Sequence, residues 1–254
     1  MSERLAHALC LRTIQRIVDL SGVKEVSGED GGPFAVLTSK LGPEPAPTGE
    51  VRIWLGDGPV EKVVYAGIWN EVIGLDSHMV YAFTAPDSAV PHFTLDSVYG
   101  HGYYAFHLDL TPRVDLGANL AYIDEVFMPL QEMYDETRAL EGLTEPAIGP
   151  RQRAMMSPWM LVSRSEEATY RKLDAPVNTY LDHWFSLAQG GVSQATLDSL
   201  AGAGLAERDV LNRGNIFSRE VDAVWDQITP LIGREDGELI RLNLLANELV
   251  QKES

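Results

Sequence analysis

The stretch "VPHFTLDSV", residues 90–98, carries two residue types that move protons. Read as a strand, its side chains alternate. Phe93 and Leu95 face one way, and His92, Thr94 and Asp96 face the other. A layer packed over that second face would desolvate Asp96 and raise its pKa toward the working pH, which suits a general acid. His92 on the same face would relay protons or hydrogen-bond an oxygen; at a rim it would do neither. A further carboxylate, Asp209, follows Arg208 where a helix is expected to give way to a loop. It is either a second acid or a surface charge.

Other chemistries lack their residues. The histidines are His7, His78, His92, His101, His107 and His183, and none has a strong metal-ligand spacing. His101 and His107 read as structural histidines. Cys10 is the single cysteine, which excludes an internal disulfide, an all-cysteine zinc site and a cysteine-ligated iron–sulfur cluster. There is no phosphate-binding P-loop, G-x-S-x-G elbow or H-E-x-x-H. "GAGLAE", residues 202–207, has two glycines of a dinucleotide fingerprint but follows a helix rather than a strand. The formal net charge of −17 argues against nucleic acid and against anionic membranes. No apolar run approaches the ~20 residues of a membrane span, and no signal pattern opens the chain. The expected setting is reducing and cytoplasmic.

The elements that must position these residues are legible as two textures. "SERLAHALCLRTIQRIVDL" (2–20) has the periodicity of an amphipathic helix, followed by a turn-rich break and a loop over 41–50 that contains three prolines. Then come "EVRIWLG", "EKVVYAGIW", "HMVYAFTA", "VPHFTLDSV" and "GYYAFHLDL", short runs rich in β-branched and aromatic residues. Their short spacing predicts antiparallel hairpins, since parallel pairs need long crossovers. From residue 120 the pattern is helical, with a bend expected at Pro129. "MSPWMLVSRS" (156–165) reads as an edge strand or a buried loop. Helices follow around 176–185, 192–204, 221–228 and 237–250. With 45% hydrophobic residues the chain can fill a sizeable core. The predicted class is α+β, a three-layer α/β/α sandwich with a central antiparallel sheet flanked by helices.

Four segments in order resemble the ferredoxin-dependent bilin reductases. "LDSHMVYAFTAPDSAVPHFTLD" (75–96) resembles that family's strand, proline-containing turn and acid-bearing strand. "LDL-P" (108–112), "SPWMLVSR" (157–164) and "RDVLNRGNIFSREVDAVW" (208–225) are similar to its later segments. Within the superfamily, "DLTPRVDL…AYIDEVFM" looks most like the red chlorophyll catabolite reductase branch. The resemblance implies a single bilin-reductase-like domain over 1–254. It implies a linear tetrapyrrole substrate held between sheet and C-terminal helices, with no bound cofactor or metal. Reduced ferredoxin would supply electrons, and site carboxylates and histidines would supply protons.

Carried over residue by residue, Asp96 matches the central acid and Asp209 the second, with His92 beside Asp96. Arg164 and Arg213 suit the propionates of a bilin, since a guanidinium fork fits a carboxylate. His78 and Met79 mark a departure. In the phycocyanobilin-forming branch a histidine stands where this sequence has Met79, and His78, one residue earlier, belongs to the opposite strand face. That branch's glutamate falls on Gly67. Phe106 and Trp159 would wall a flat pigment, or else belong to the core. Because ferredoxins are acidic, docking one calls for a basic patch, for which Arg151, Arg153, Arg164, Arg171 and Lys172 are available. The rival readings are a tetrapyrrole-binding protein without turnover, and an enzyme of the same fold acting on another flat conjugated substrate.

Overall fold

The β-rich runs pair in the order in which they occur, as short connections require. In the computed structural model, which describes residues 4–42, 44–146 and 148–252, eight strands form one antiparallel sheet. They are β1 (Lys24–Glu25), β2 (Ala35–Thr38), β3 (Pro47–Leu55), β4 (Val60–Asn70), β5 (Leu75–Thr84), β6 (His92–Gly100), β7 (Tyr103–Thr111) and β8 (Leu161–Ser165). Their order is β1-β3-β4-β5-β6-β7-β8, with β2 also paired to β3. The helices are α1 (Leu5–Ser21), α2 (Leu120–Val126), α3 (Gln131–Arg138), α4 (Pro150–Met155), α5 (Glu167–Tyr170), α6 (Asp174–Gly190), α7 (Gln194–Ser199), α8 (Leu205–Ile216), α9 (Val224–Ile232) and α10 (Arg234–Leu245). No helix among the described residues is long and apolar enough to cross a membrane.

The sheet is apolar on both faces, so both must be covered. On one face Val63, Val80, Phe93 and Leu95 pack with Leu9 and Ile14 of α1 and Tyr180 and Trp184 of α6. On the other, Val64, Ala66 and Tyr81 pack with Ile216, Trp225 and Ile240, from α8, α9 and α10. Neighbours such as Val63 and Val64 enter opposite cores, as the strand pleat demands. The result is the α/β/α sandwich read from the sequence.

Details differ from expectation. The loop over 41–50 is shorter, because Pro47 opens β3, a place where proline costs no ladder hydrogen bond; Pro43 lies outside the described residues. The two-residue strand β1 carries no hydrophobic run to announce it, and β2 takes up the short apolar run at 34–37, which lies outside the expected strands. Pro129 sits in a 3-10 turn that separates α2 from α3 outright. The 156–165 segment does supply an edge strand, β8, paired to β7 and bridged on its outer side by Arg164 to Thr144.

One turn sets the register on which the site depends. His101 and Gly102 both have positive φ, 55° and 83°. This is the two-residue hairpin geometry that matches strand twist. It pairs Gly100 with Tyr103, and counting back four residues on each strand sets Asp96 opposite His107. A Cβ at Gly102 would sit in the left-handed region, which costs about 1–2 kcal/mol. Gly102→Ala is therefore expected to lower stability by about that amount in urea unfolding. Gly58→Ala, in the β3–β4 turn with no atom within 4 Å of its added Cβ and no positive φ, should stay within about 0.5 kcal/mol.

Candidate functional site

Cross-strand pairing lays one row of side chains across the middle of the sheet, running Ala66, Met79, Asp96, His107 from β4 to β7. All four border a cavity of ≈ 100 Å³ between the sheet and the helices of the second core. Tyr81 and Thr94 continue its sheet wall, and Met156, Phe217, Asp222, Trp225 and Ile228 form the facing wall.

Asp96 keeps 39% of its side chain exposed and accepts a hydrogen bond from His107 Nδ1 at 3.0 Å. With Nδ1–H committed to Asp96, the second ring nitrogen is free to serve the cavity. His107 Nε2 is buried and has no partner. Burial pushes the imidazole pKa down, but the Asp96 hydrogen bond and the nearby carboxylates of Asp96, Asp109 and Asp222 outweigh it, and the net shift is upward. The imidazolium is thus favoured, and Nε2–H becomes a donor. Asp222 closes the cavity from the helical side. Its carboxylate accepts from the Val224 backbone N–H at 3.0 Å at the start of α9. Burial, with Asp96 adding to it, pushes the Asp222 pKa up to about 6. The arrangement is two carboxyls on opposite walls with an imidazole beside one of them, a set able to deliver more than one proton.

Asp109, two residues beyond His107, faces the same way and fixes the neighbouring wall. It accepts from the Ser157 backbone N–H at 2.9 Å and from Ser157 Oγ at 2.5 Å. Burial raises its pKa to about 6. That bond ties the "SPW" segment to β7. Among the described residues no group of three or more His, Cys, Asp and Glu side chains has the geometry of a metal site.

The structure brings only part of the expected set together. Asp96 and Met79 line the cavity. His92 shares their strand face but is fully buried behind it, its ring in edge contact with Tyr81 and Phe83. Asp209 lies inside α8 rather than at a helix end, and it contacts His92 Nε2 at 2.8 Å instead of entering the cavity. The pairing of Asp96 with Asp209 across a ligand is therefore not what the geometry offers; the opposing carboxyl is Asp222, thirteen residues further along the quoted segment. Arg213 is also buried, stacked 4.0 Å over Phe83 and donating to the Leu244 and Ala246 carbonyls. Arg164 shares the cavity face but stands on edge strand β8, over the Tyr103 ring at 5.1 Å.

His78, Phe106 and Trp159 belong to the other core. No bulge interrupts β5 beside β6, so His78 faces α1, stacked on His7 and hydrogen-bonded to Tyr65 Oη and Asp76, both at 2.8 Å. The Tyr65–His78 bond passes over Gly67, where a Cβ would meet Tyr65 Oη at 2.4 Å. That contact explains why no side chain occupies Gly67. Phe106 is buried among α1- and α6-facing residues, and Trp159 stacks on Phe127 at 5.4 Å. A larger cavity of ≈ 510 Å³ also opens on this face, lined by Arg4, Trp69, Asp76 and Tyr104. Two of its charges satisfy each other, Arg4 being bound to Asp76 and stacked over Trp69, and its other charged lining residues are Glu71 and Glu167. The smaller cavity, with its unpartnered nitrogen, is the better chemical site.

His107 was missed as a candidate although a signal existed, because the "HG" turn at 101–102 dictates its place opposite Asp96. Asp222 had no such local signal; only the return of α9 over the sheet brings it in.

No family model and no curated protein matches this sequence. Solved structures do match in fold. The crystal structure of SeMet-phytochromobilin synthase from tomato in complex with biliverdin aligns with a TM-score of 0.65, covering 96% of this chain and 85% of that one at 15% identity. At that identity the likeness is one of fold.

The His92 cluster makes a pH prediction. Thr84 N–H donates to His92 Nδ1 at 3.1 Å, so Nδ1 is bare and the ring is the neutral Nε2–H tautomer that donates to Asp209. Burial and the Arg113 charge lower its pKa from 6.5 to about 3. Between those values the unfolded chain binds a proton that the folded one refuses, so stability falls as pH falls from 6.5 toward 3. Urea unfolding across that window should show a shallower decline in His92→Gln, by up to about 1.4 kcal/mol per pH unit. Equal slopes would mean that His92 is already charged in the fold.

Proposed function

We propose that this chain is a reductase of a flat conjugated molecule of the linear tetrapyrrole class, with electrons from an external donor and protons from its own side chains. The observation that carries the reading is the Asp96–His107 pair facing Asp222 across one cavity. The shared fold supports it, since the tomato protein was crystallised with biliverdin.

Reducing one carbon–carbon double bond takes two electrons and two protons. Adding an electron makes a conjugated ligand more basic, and a donor already in place then protonates it. His107 Nε2–H would give that proton, while Asp96 orients the ring through Nδ1 and stabilises its charge. Asp222, protonated below about pH 6, would give a second proton from the helical wall. His92 and Asp209 would act without touching the ligand, by holding α8 against the sheet. Arg164 at the rim is the candidate for a ligand carboxylate. Reduced ferredoxin is the proposed donor.

The cavity volume, ≈ 100 Å³, is below the ~300–1,000 Å³ of pockets for drug-sized ligands, so a tetrapyrrole enters only if the α8–α10 wall withdraws. This same volume favours the second reading, a smaller flat conjugated substrate.

The test is an anaerobic absorbance titration with biliverdin, then reduced ferredoxin. Wild type should bind with a spectral shift and bleach on reduction. Asp96→Asn, His107→Gln and Asp222→Asn should each lose about 10²-fold or more in rate while binding within about threefold, as expected for proton donors. Binding without turnover would make the protein a carrier, and absence of binding would select the smaller substrate.

A further inference from the structure

Among the described residues, three buried side-chain nitrogens have no hydrogen-bond partner: His107 Nε2, Trp225 Nε1 and Arg113 Nε. Two of these residues line the same small cavity. His107 has a use there in proton transfer. Trp225 does not, because an indole N–H only donates and does not titrate. Leaving such a donor buried without an acceptor destabilises a fold, and buried indoles ordinarily find one. Two other indoles of this chain do. Trp184 Nε1 donates to the Pro91 carbonyl at 2.7 Å, and Trp159 Nε1 to Gln131 Oε1 at 2.9 Å. The exception stands on the cavity wall, with the ring itself 3% exposed.

Its neighbour sharpens the inference. Asp222 borders the cavity three residues before Trp225, and its bond to Val224 N–H fixes the turn that leads into α9. Thr229 Oγ1, one turn on, donates to the Trp225 carbonyl at 2.6 Å. One short, hydrogen-bonded piece of backbone therefore carries both a donor, the indole N–H, and an acceptor, the Asp222 carboxyl. A lactam presents the complementary pair, a carbonyl oxygen beside an N–H. A closed macrocycle with only inward-facing nitrogens does not.

Resting on the reductase reading, we propose that Trp225 is the residue that selects the substrate. Its Nε1–H donates to a lactam or similar ring carbonyl, so the ligand is a conjugated molecule that ends in such a ring rather than a closed tetrapyrrole. The unpartnered donor weakens the free protein and is satisfied on binding, which turns a local cost into selectivity.

The probes are biliverdin, which carries terminal lactams, and mesoporphyrin, which carries propionates but no lactam. Both are titrated by absorbance into wild type and Trp225→Phe, which keeps an aromatic ring and removes the donor. Wild type is expected to prefer biliverdin. The variant should lose about tenfold in biliverdin affinity, the size of one hydrogen bond to a buried donor, with no change for mesoporphyrin. Its ligand-free melting temperature should be equal to or above that of wild type, an outcome that a merely structural tryptophan would not give. Unchanged biliverdin affinity in the variant overturns the selector role and leaves the reductase reading standing. Failure of wild type to take up biliverdin overturns the linear-tetrapyrrole reading and this inference with it. Should the variant not fold, the Trp225 indole N–H resonance of wild type gives the same answer. A downfield shift as biliverdin is added supports the bond, and an unmoved resonance overturns it.

Discussion

Joining a helical layer to the middle of a sheet takes contacts that fix position as well as burying area, and here these are four buried polar side chains. His92 of β6 meets Asp209 of α8 at 2.8 Å, and Arg113, just after β7, lies 3.7 Å from the same carboxylate. Arg213, one turn along α8, stands 3.5 Å from Asp209 and reaches the Leu244 and Ala246 carbonyls at the end of α10. Burial alone pushes Asp209 up, but the His92 hydrogen bond and the two guanidiniums hold its carboxyl below the usual range. Removing one partner from such a cluster strands a buried charge, at about 3–5 kcal/mol. Lys62 adds a second tie to the same tail, donating to the Ala246 and Glu248 carbonyls at 3.0 Å each. The position of α8 and of the chain end therefore follows from this cluster, and the depth of the cavity follows from the position of α8.

The two sheet faces divide the histidines by task. On the α1 face His78 is saturated, with Tyr65 on one ring nitrogen and Asp76 on the other, so it has no valence left for a ligand. On the cavity face His92 is saturated by Thr84 and Asp209. Only His107 combines a carboxylate partner on one nitrogen with an unpartnered second nitrogen at a cavity. The same residue type thus has three roles set by what its second nitrogen meets.

The charge of the chain bears on the electron donor that the proposed reading calls for. Two of the five cations read as a basic patch are in ion pairs, Arg171 with Glu167 at 2.7 Å and Arg153 with Glu145 at 4.0 Å. Arg164 is spread over Tyr103. These exposed pairs contribute little to stability, but they cancel positive potential where an acidic donor would dock. Under the proposed reductase reading, an electron donor would have to accept a chain whose net charge is −17.

What the sequence determined by itself is whatever depends on near neighbours. Alternating β-branched runs joined by short turns could pair only as antiparallel neighbours, and apolar residues on both faces required a helical layer on each side. The face shared by His92, Thr94 and Asp96 followed from the pleat, and His78 was excluded from it by the same count of one. Even the Asp96–His107 pairing was present in the "HG" turn. What only the tertiary structure decided is which groups meet from far apart in the chain. Asp209 and Asp222 sit on one quoted segment, and nothing local ranks one above the other as the cavity's acid. The packing of α8 and α9 does so, turning Asp209 toward His92 and the arginines and Asp222 toward Asp96. The same holds for His92, whose strand face was correct but whose place behind Tyr81 and Phe83 depends on α8 lying over it. Strand periodicity is a local steric property, whereas burial depth is a sum over elements that the chain brings together only when it closes.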